Sequence, residues 1–217
     1  MKHLAPRTGY SRAEYLSDAV VHVLGIALVL ASVPVLITLT AFLRGDAPAM
    51  VGTSVYGLSL LAMILCSGLY NMIGQGRWAW LLQRLDHSAI YAKIAGTYTP
   101  FALLSGHGGW LVAGLWVAAL LGMALKLASP HRFRWLALGL YLGMGWAGAV
   151  FGGDFVASLS PTVLTLILTG GLLYTAGVVL YLFDRLPFHY TAWHVFVLAA
   201  SMVLYSAVTL QVLETAA

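Results

Sequence analysis

Seven long apolar runs, separated by short clusters of glycine, proline and charged residues, set the rhythm of this chain. They lie around residues 18–43, 50–73, 85–105, 109–128, 134–153, 161–183 and 190–212. Each approaches the ~20 residues that cross a ~30 Å hydrocarbon core. None alternates apolar with polar side chains as barrel strands do, and backbone groups cannot stay unpaired in lipid, so the runs predict helices. The expected fold is all-α: a bundle of seven transmembrane helices forming one domain over 1–217, with a polar tail at 1–16. The first run is longer than a signal-peptide core and has no convincing cleavage site, so it is expected to remain in the membrane.

Composition agrees with this pattern. Of 217 residues, 61% are hydrophobic and 8% charged, and the mean hydropathy is +0.90. A soluble domain carries about a quarter charged residues. The net charge of +4 comes from Lys and Arg scattered singly, without the dense basic patch that nucleic acid requires, so no nucleic-acid partner is expected. These cations instead orient the chain. Lys93, inside the third run, is left out of the count. The tail contributes Lys2, Arg7 and Arg12; later clusters on the same side contribute Arg77 and Arg84, then Lys126, Arg132 and Arg134, then Arg185. Only Arg44 opposes these nine, which places the amino terminus in the cytoplasm and the carboxyl terminus outside. The single cysteine, Cys66, excludes an intrachain disulfide and a cysteine-based zinc cluster.

Small residues recur every fourth position in the fourth run (Gly114, Ala118, Gly122) and the fifth (Gly139, Gly143, Ala147). Such ridges let helices approach closely, and packing within the bundle is the expected use. A homo-oligomer is open but not indicated. Pro34 and Pro100 are expected to kink their helices.

Ionisable and polar residues in or beside apolar helix are costly, so their grouping is informative. Glu14, Asp18 and His22 share one face at the start of the first run. Ser67 and Asn71 lie four apart near the end of the second, Asp86 and His87 open the third, and His189, Tyr190 and His194 open the seventh. All four groups fall at one end of the bundle, which predicts a polar cavity between spans one, two, three and seven. His3, His107 and His131 fall in the tail or loops and carry no signal.

Several of these segments resemble one family. Ser67-Gly68-Leu69-Tyr70, Arg84-Leu85-Asp86-His87 and the block from Ile94 to Phe101 (IAGTYTPF) look like the hemolysin III family, the bacterial branch of the progestin and adipoQ receptor group. Glu14…Asp18…His22…Gly25 and the stretch from Trp193 to Leu198 resemble its first-helix and last-helix signatures. The resemblance implies seven helices, a cytoplasmic amino terminus, residence in a bacterial inner membrane, and a membrane lipid or fatty acid as partner. It also implies a zinc site, formed by a serine and a histidine four apart on the second helix, an aspartate on the third and an H-x-x-x-H pair on the seventh.

Position by position, Ser67, Asp86 and His194 are retained. They are the candidate catalytic set if the chain is an enzyme. The second-helix histidine is Asn71, and the first histidine of the pair is Tyr190; neither is a good zinc ligand. The expectation is therefore no resident metal and no cofactor, with zinc on His194, Asp86 and His189, or His87 in place of His189, as the alternative. His189 lies about 140° around a regular helix from His194, since each residue turns ~100°. Asn71, Tyr190, His189, Asp18, His22 and Lys93 are expected to line the cavity. Lys93 occupies the apolar middle of the third run, where a cation needs a partner; it is expected either to supply charge that a metal would otherwise bring, with Asp86 or a bound lipid phosphate as counter-charge, or to stay uncharged because burial disfavours the ammonium.

Two functional classes follow. The first is a membrane protein that senses or adjusts lipid state without the usual zinc site. The second is a metal-dependent intramembrane hydrolase of an amide or ester lipid. Pore formation ranks third, because no run shows the repeated polar lining of a wide channel.

Overall fold

The computed structural model describes residues 11–73, 76–128, 134–183 and 185–216, with Arg134 described by its backbone alone. Lys2, Arg7, His3, His131 and Arg132 fall outside the described residues. Eight helices and no strand occur among those described: α1 Arg12–Leu43, α2 Ala47–Ile73, α3 Ala79–Ser105, α4 Gly109–Ala128, α5 Arg134–Phe151, the short α6 Gly153–Ala157, α7 Pro161–Leu182 and α8 His189–Ala216. The seven long helices coincide with the seven apolar runs. By length and composition, α1, α2, α4, α7 and α8 are each able to cross a membrane. Two helices fall short for visible reasons: α5 is only 18 residues, and α3 carries Arg84, Asp86 and Lys93 within its 27.

Helix α1 shows how the sequence places its faces. Ser11 caps it, accepting from Glu14 N, while the Glu14 carboxylate returns to Ser11 N in a capping box. Its buried residues are Asp18, His22, Gly25, Val29, Val33, Leu36 and Thr40, a stripe spaced by threes and fours that faces the bundle. The outward face is apolar: Leu24, Leu28, Leu30 and Val35 are all exposed. Polar groups inside and aliphatic groups outside is the arrangement expected of a helix whose surroundings are lipid.

Long helices consecutive in sequence are antiparallel, and side-chain contacts tie each end together. At one end, Tyr15 donates to Met72 O, Phe188 N donates to Glu14, and Arg84 donates to Leu127 O. At the other, Arg44 donates to Thr215 O and Ser160 to Glu214. The starts of α1, α3 and α8 and the ends of α2 and α4 therefore share one end of the bundle. Trp78, Trp80, Trp110 and Trp135 stand exposed near helix ends, as interfacial anchors do.

Helix α3 is the hub, packed against α2, α4, α5 and α8. Its union with α2 is close because glycine faces the partner. A Cβ on Gly52 would stand 2.9 Å from Pro100 Cα, and one on Gly96 would overlap the Ser59 side chain. Pro100 thus sits inside α3 where α2 has no side chain to obstruct it.

The expected ridges of α4 and α5 require correction. Gly122 does meet a neighbour, the Tyr91 ring of α3, and Ala118 and Ala147 pack with the core, but Gly114, Gly139 and Gly143 have nothing within 4 Å of an added Cβ. Close packing falls elsewhere, at Gly148 against Tyr98, Gly170 against Leu204 and Gly177 against Trp193 and Phe196. The four-residue spacing of small side chains was present in sequence, but spacing does not specify which neighbour a ridge meets.

Candidate functional site

Four helices bring the polar residues together. Asp18 and His22 lie one turn apart on the buried stripe of α1, Ser67 and Asn71 one turn apart near the end of α2, and His194 on the second turn of α8. His194 Nδ1 stands 2.5 Å from Asp18 Oδ1. The two rings of His22 and His194 meet edge to face with centroids 4.4 Å apart. His22 Nδ1 lies 2.8 Å from Asp18 O; a carbonyl only accepts, so this nitrogen carries the proton. In the neutral ring Nε2 is then an acceptor, and the Ser67 hydroxyl 3.2 Å away donates to it. Asn71 Nδ2 donates both to Ser67 O at 2.9 Å and to Ser67 Oγ at 3.3 Å. The result is a directed chain from Asn71 through Ser67 to His22, with Asp18 binding His194 on the far side.

Contacts between α1 and the start of α8 hold this cluster. Ser17 Oγ and Thr191 Oγ1 are 2.9 Å apart, joining α1 to α8 one residue from Asp18. Glu14 accepts from Phe188 N, and Phe188 itself takes a left-handed φ of 59°, a conformation unusual for a residue with a Cβ.

A cavity of about 530 Å³ opens beside the cluster, within the ~300–1,000 Å³ of ordinary small-molecule sites. Ser67, Asn71, Asp86, His87, Lys93, Tyr190, His22 and His194 line it, but Asp18 and His189 do not. The cavity is also broader than spans one, two, three and seven. Tyr141 and Trp146 of α5, Tyr174 and Tyr181 of α7, and Lys126 of α4 contribute to its wall. Lys126 counted in sequence only as an orienting charge, yet it is 6% exposed. The overlooked signal was its place inside an apolar stretch, one turn after Gly122. The tyrosines gave little warning, because aromatic residues in apolar helices are ordinarily core.

Deeper in the cavity, Lys93 donates from Nζ to Thr97 Oγ1 at 2.6 Å, and Nζ lies 4.7 Å from the centre of the Tyr56 ring. The hydroxyl of Thr97 is turned to Lys93 O at 2.7 Å. Asp86 is half-buried at the mouth, two turns earlier on α3, and the backbone of His87 accepts from Tyr141.

The metal-ligating group that converges among the described residues is Asp18, His22 and His194, whose candidate ligand atoms lie within 4.8 Å of one another. This differs from His194, Asp86 and His189, the set that sequence offers as the alternative to no metal. His189 is the first residue of α8, with Nδ1 3.1 Å from Leu186 O and its ring against Tyr190. The helix turn carries it away from His194. Position 71 offers a carboxamide and position 190 a phenol, neither a good zinc ligand. One carboxylate and two imidazoles do suit it, and would leave a fourth position open. Asp18 and His22 come to this role because they share one turn of α1 directly across from His194.

The profile of the Haemolysin-III related family matches residues 12–205. The chain is 38% identical over 208 residues to Hemolysin-3 of Bacillus cereus, covering 94% of each protein. It is 38% identical over 200 residues to the Hemolysin-3 homolog of Bacillus subtilis (strain 168), covering 90% of this chain and 92% of the relative. A more distant similarity, 28% over 172 residues, joins it to the human Monocyte to macrophage differentiation factor, covering 71% of this chain and 67% of that protein.

Proposed function

Since the chain belongs to the Haemolysin-III related family and is an integral protein of the bacterial plasma membrane, we propose that it senses or adjusts membrane lipid state by admitting a membrane lipid or fatty acid to its cavity. The carrying observation is the cavity of about 530 Å³, which joins the polar groups of His22, Ser67, Asn71 and His194 to the apolar walls of Phe101, Phe155 and Leu204. An amphiphile has the same division. All seven long helices cross the bilayer in this reading, with the amino terminus in the cytoplasm, and α3 and α5 cross because their polar or short segments are shielded by neighbours. The excess of Lys and Arg on one side supports that orientation.

Ligand binding raises the thermal midpoint of a protein that binds only when folded. Addition of palmitate to the purified protein in mild detergent is expected to raise the midpoint, and Leu142→Trp, which fills the cavity from α5, is expected to abolish the rise. No shift in the wild type would contradict the reading.

The second reading, hydrolysis of an amide or ester lipid, is favoured by the hydrogen bond from Ser67 to His22. Ser67 would lose its proton to His22 Nε2, Asn71 would hold the serine oxygen in place, and the Asp18 carbonyl would fix the histidine tautomer. A zinc ion held by Asp18, His22 and His194 would be an alternative to that serine step, since it would occupy the His22 nitrogen that otherwise takes the proton; it would supply a Lewis acid and a water acidified toward pKa ~7. Lipid turnover lost in Ser67→Ala would establish this reading over simple binding.

A further inference from the structure

Lys93 is 2% exposed and lines the cavity. An ammonium carries three donors. One goes to Thr97 Oγ1, and the face of Tyr56 covers the group from one side. Among the described residues, no carboxylate comes within ion-pair distance of Lys93, in contrast to Arg44, which has Asp46. The Tyr56 ring offsets only part of the desolvation of a buried cation. Thr97 does not help further, because its proton is committed to Lys93 O. What it does is fix the direction of the lysine side chain.

The position of Lys93 along the cavity is equally specific. It stands on α3 about 10 Å beyond Asp86 and about 12 Å before Phe101, by the ~1.5 Å rise per residue. Asp86 marks the polar mouth, while Phe101, Phe155 and Leu204 form apolar wall. A cation with unused donors thus sits at the border between the two.

We propose that the Lys93 ammonium, oriented by Thr97, is an anion subsite that holds the carboxylate of a single-chain fatty acid, with the acyl chain along the wall formed by Phe101, Phe155 and Leu204. The proposal rests on the reading of the cavity as an amphiphile site. A carboxylate suits it better than a phosphate group, because a single lysine with two remaining hydrogens matches one charge and two acceptor oxygens. It also separates two roles within one cavity. The Asp18, His22, His194 and Ser67 cluster remains at the mouth, and the counter-charge for Lys93 comes from the ligand.

The test compares two probes of equal chain length, palmitate and 1-hexadecanol, by equilibrium binding to the purified protein in mild detergent. A charge-assisted hydrogen bond lost in the alcohol predicts palmitate binding at least about tenfold tighter. Lys93→Met is expected to remove that preference while hexadecanol binds as before. Equal affinities in the wild type, or a preference that survives in folded Lys93→Met, would overturn the subsite while the cavity reading stands. Binding of neither probe would overturn the cavity reading and the subsite with it. Should Lys93→Met fail to fold, Thr97→Val, which removes the group that orients the lysine, is expected to weaken the preference for palmitate, and a preference unchanged there would overturn the subsite.

Discussion

His194 Nδ1 and Asp18 Oδ1 meet at 2.5 Å across 176 positions of sequence, joining the second turn of the last helix to the second turn of the first. Both side chains are largely buried, at 11% and 13% exposed. This pair closes the bundle where its two terminal helices run side by side, and it fixes the ring that faces His22. Removing one partner takes a charge-assisted hydrogen bond out of a largely buried site.

Asp18→Asn keeps the shape of the side chain but loses its charge. A hydrogen bond to a charged group contributes about 1.5–3 kcal/mol, so the variant is expected to lose stability on that scale, and Asp18→Ala at least as much. Thermal unfolding in detergent checks this, and an unchanged midpoint for both variants would show the pair to be incidental. His189→Ala, outside the cluster, is expected to fall within about 0.5 kcal/mol of wild type.

The junction of α2 and α3 predicts a contrast between glycines. Gly52→Ala drives a methyl against Pro100 Cα, and because backbone cannot swing aside, overpacking of about 1–3 kcal/mol is expected. Gly139→Ala meets open space and is expected to be neutral or slightly stabilising, since alanine favours helix. Equal midpoints for the two variants would contradict the packing described.

At the opposite end of the bundle, Asp46 accepts from Ala49 N at 3.0 Å and from Arg44 Nε at 2.8 Å. The backbone hydrogen bond first, and the Arg44 contact after it, hold this carboxyl below the usual aspartate range. A depressed folded-state pKa stabilises the fold above the unfolded value of ~3.9 and loses that contribution as pH falls through the folded value. The gap in thermal midpoint between wild type and Asp46→Asn is therefore expected at neutral pH and should close in acid. A gap that widens on acidification would reverse the assignment.

Much of this fold was legible because lipid imposes a simple rule: each long apolar run becomes one helix, and the observed ends at Leu43, Ile73, Ser105 and Ala128 fall where the runs stop. The grouping of polar residues at one end was legible for the same reason, since antiparallel helices bring the start of one beside the end of the next. What the pattern left open was rotation about each helix axis. Asp18 and His22 were placed at the cavity, but their convergence on His194 depends on how α1 turns against α8, and His189 drops out because α8 begins at that residue. The tyrosines of α5 and α7 were invisible for a related reason, as an apolar run does not announce which of its faces borders a void.

If zinc occupies the cluster, Asp18, His22 and His194 hold it. Elemental analysis of protein purified without chelator is then expected to find zinc that His22→Ala and His194→Ala each lose and His189→Ala retains. Zinc retained in His22→Ala would show that α1 takes no part in binding it.

The proposed function stands on a lipid held in the cavity. Native mass spectrometry of the protein released from mild detergent tests it most directly, with wild type compared against Leu142→Trp. About one bound single-chain amphiphile per wild-type chain, and none in the variant, is the expected result. A wild-type protein that carries no lipid after purification and takes up none from added palmitate would contradict it.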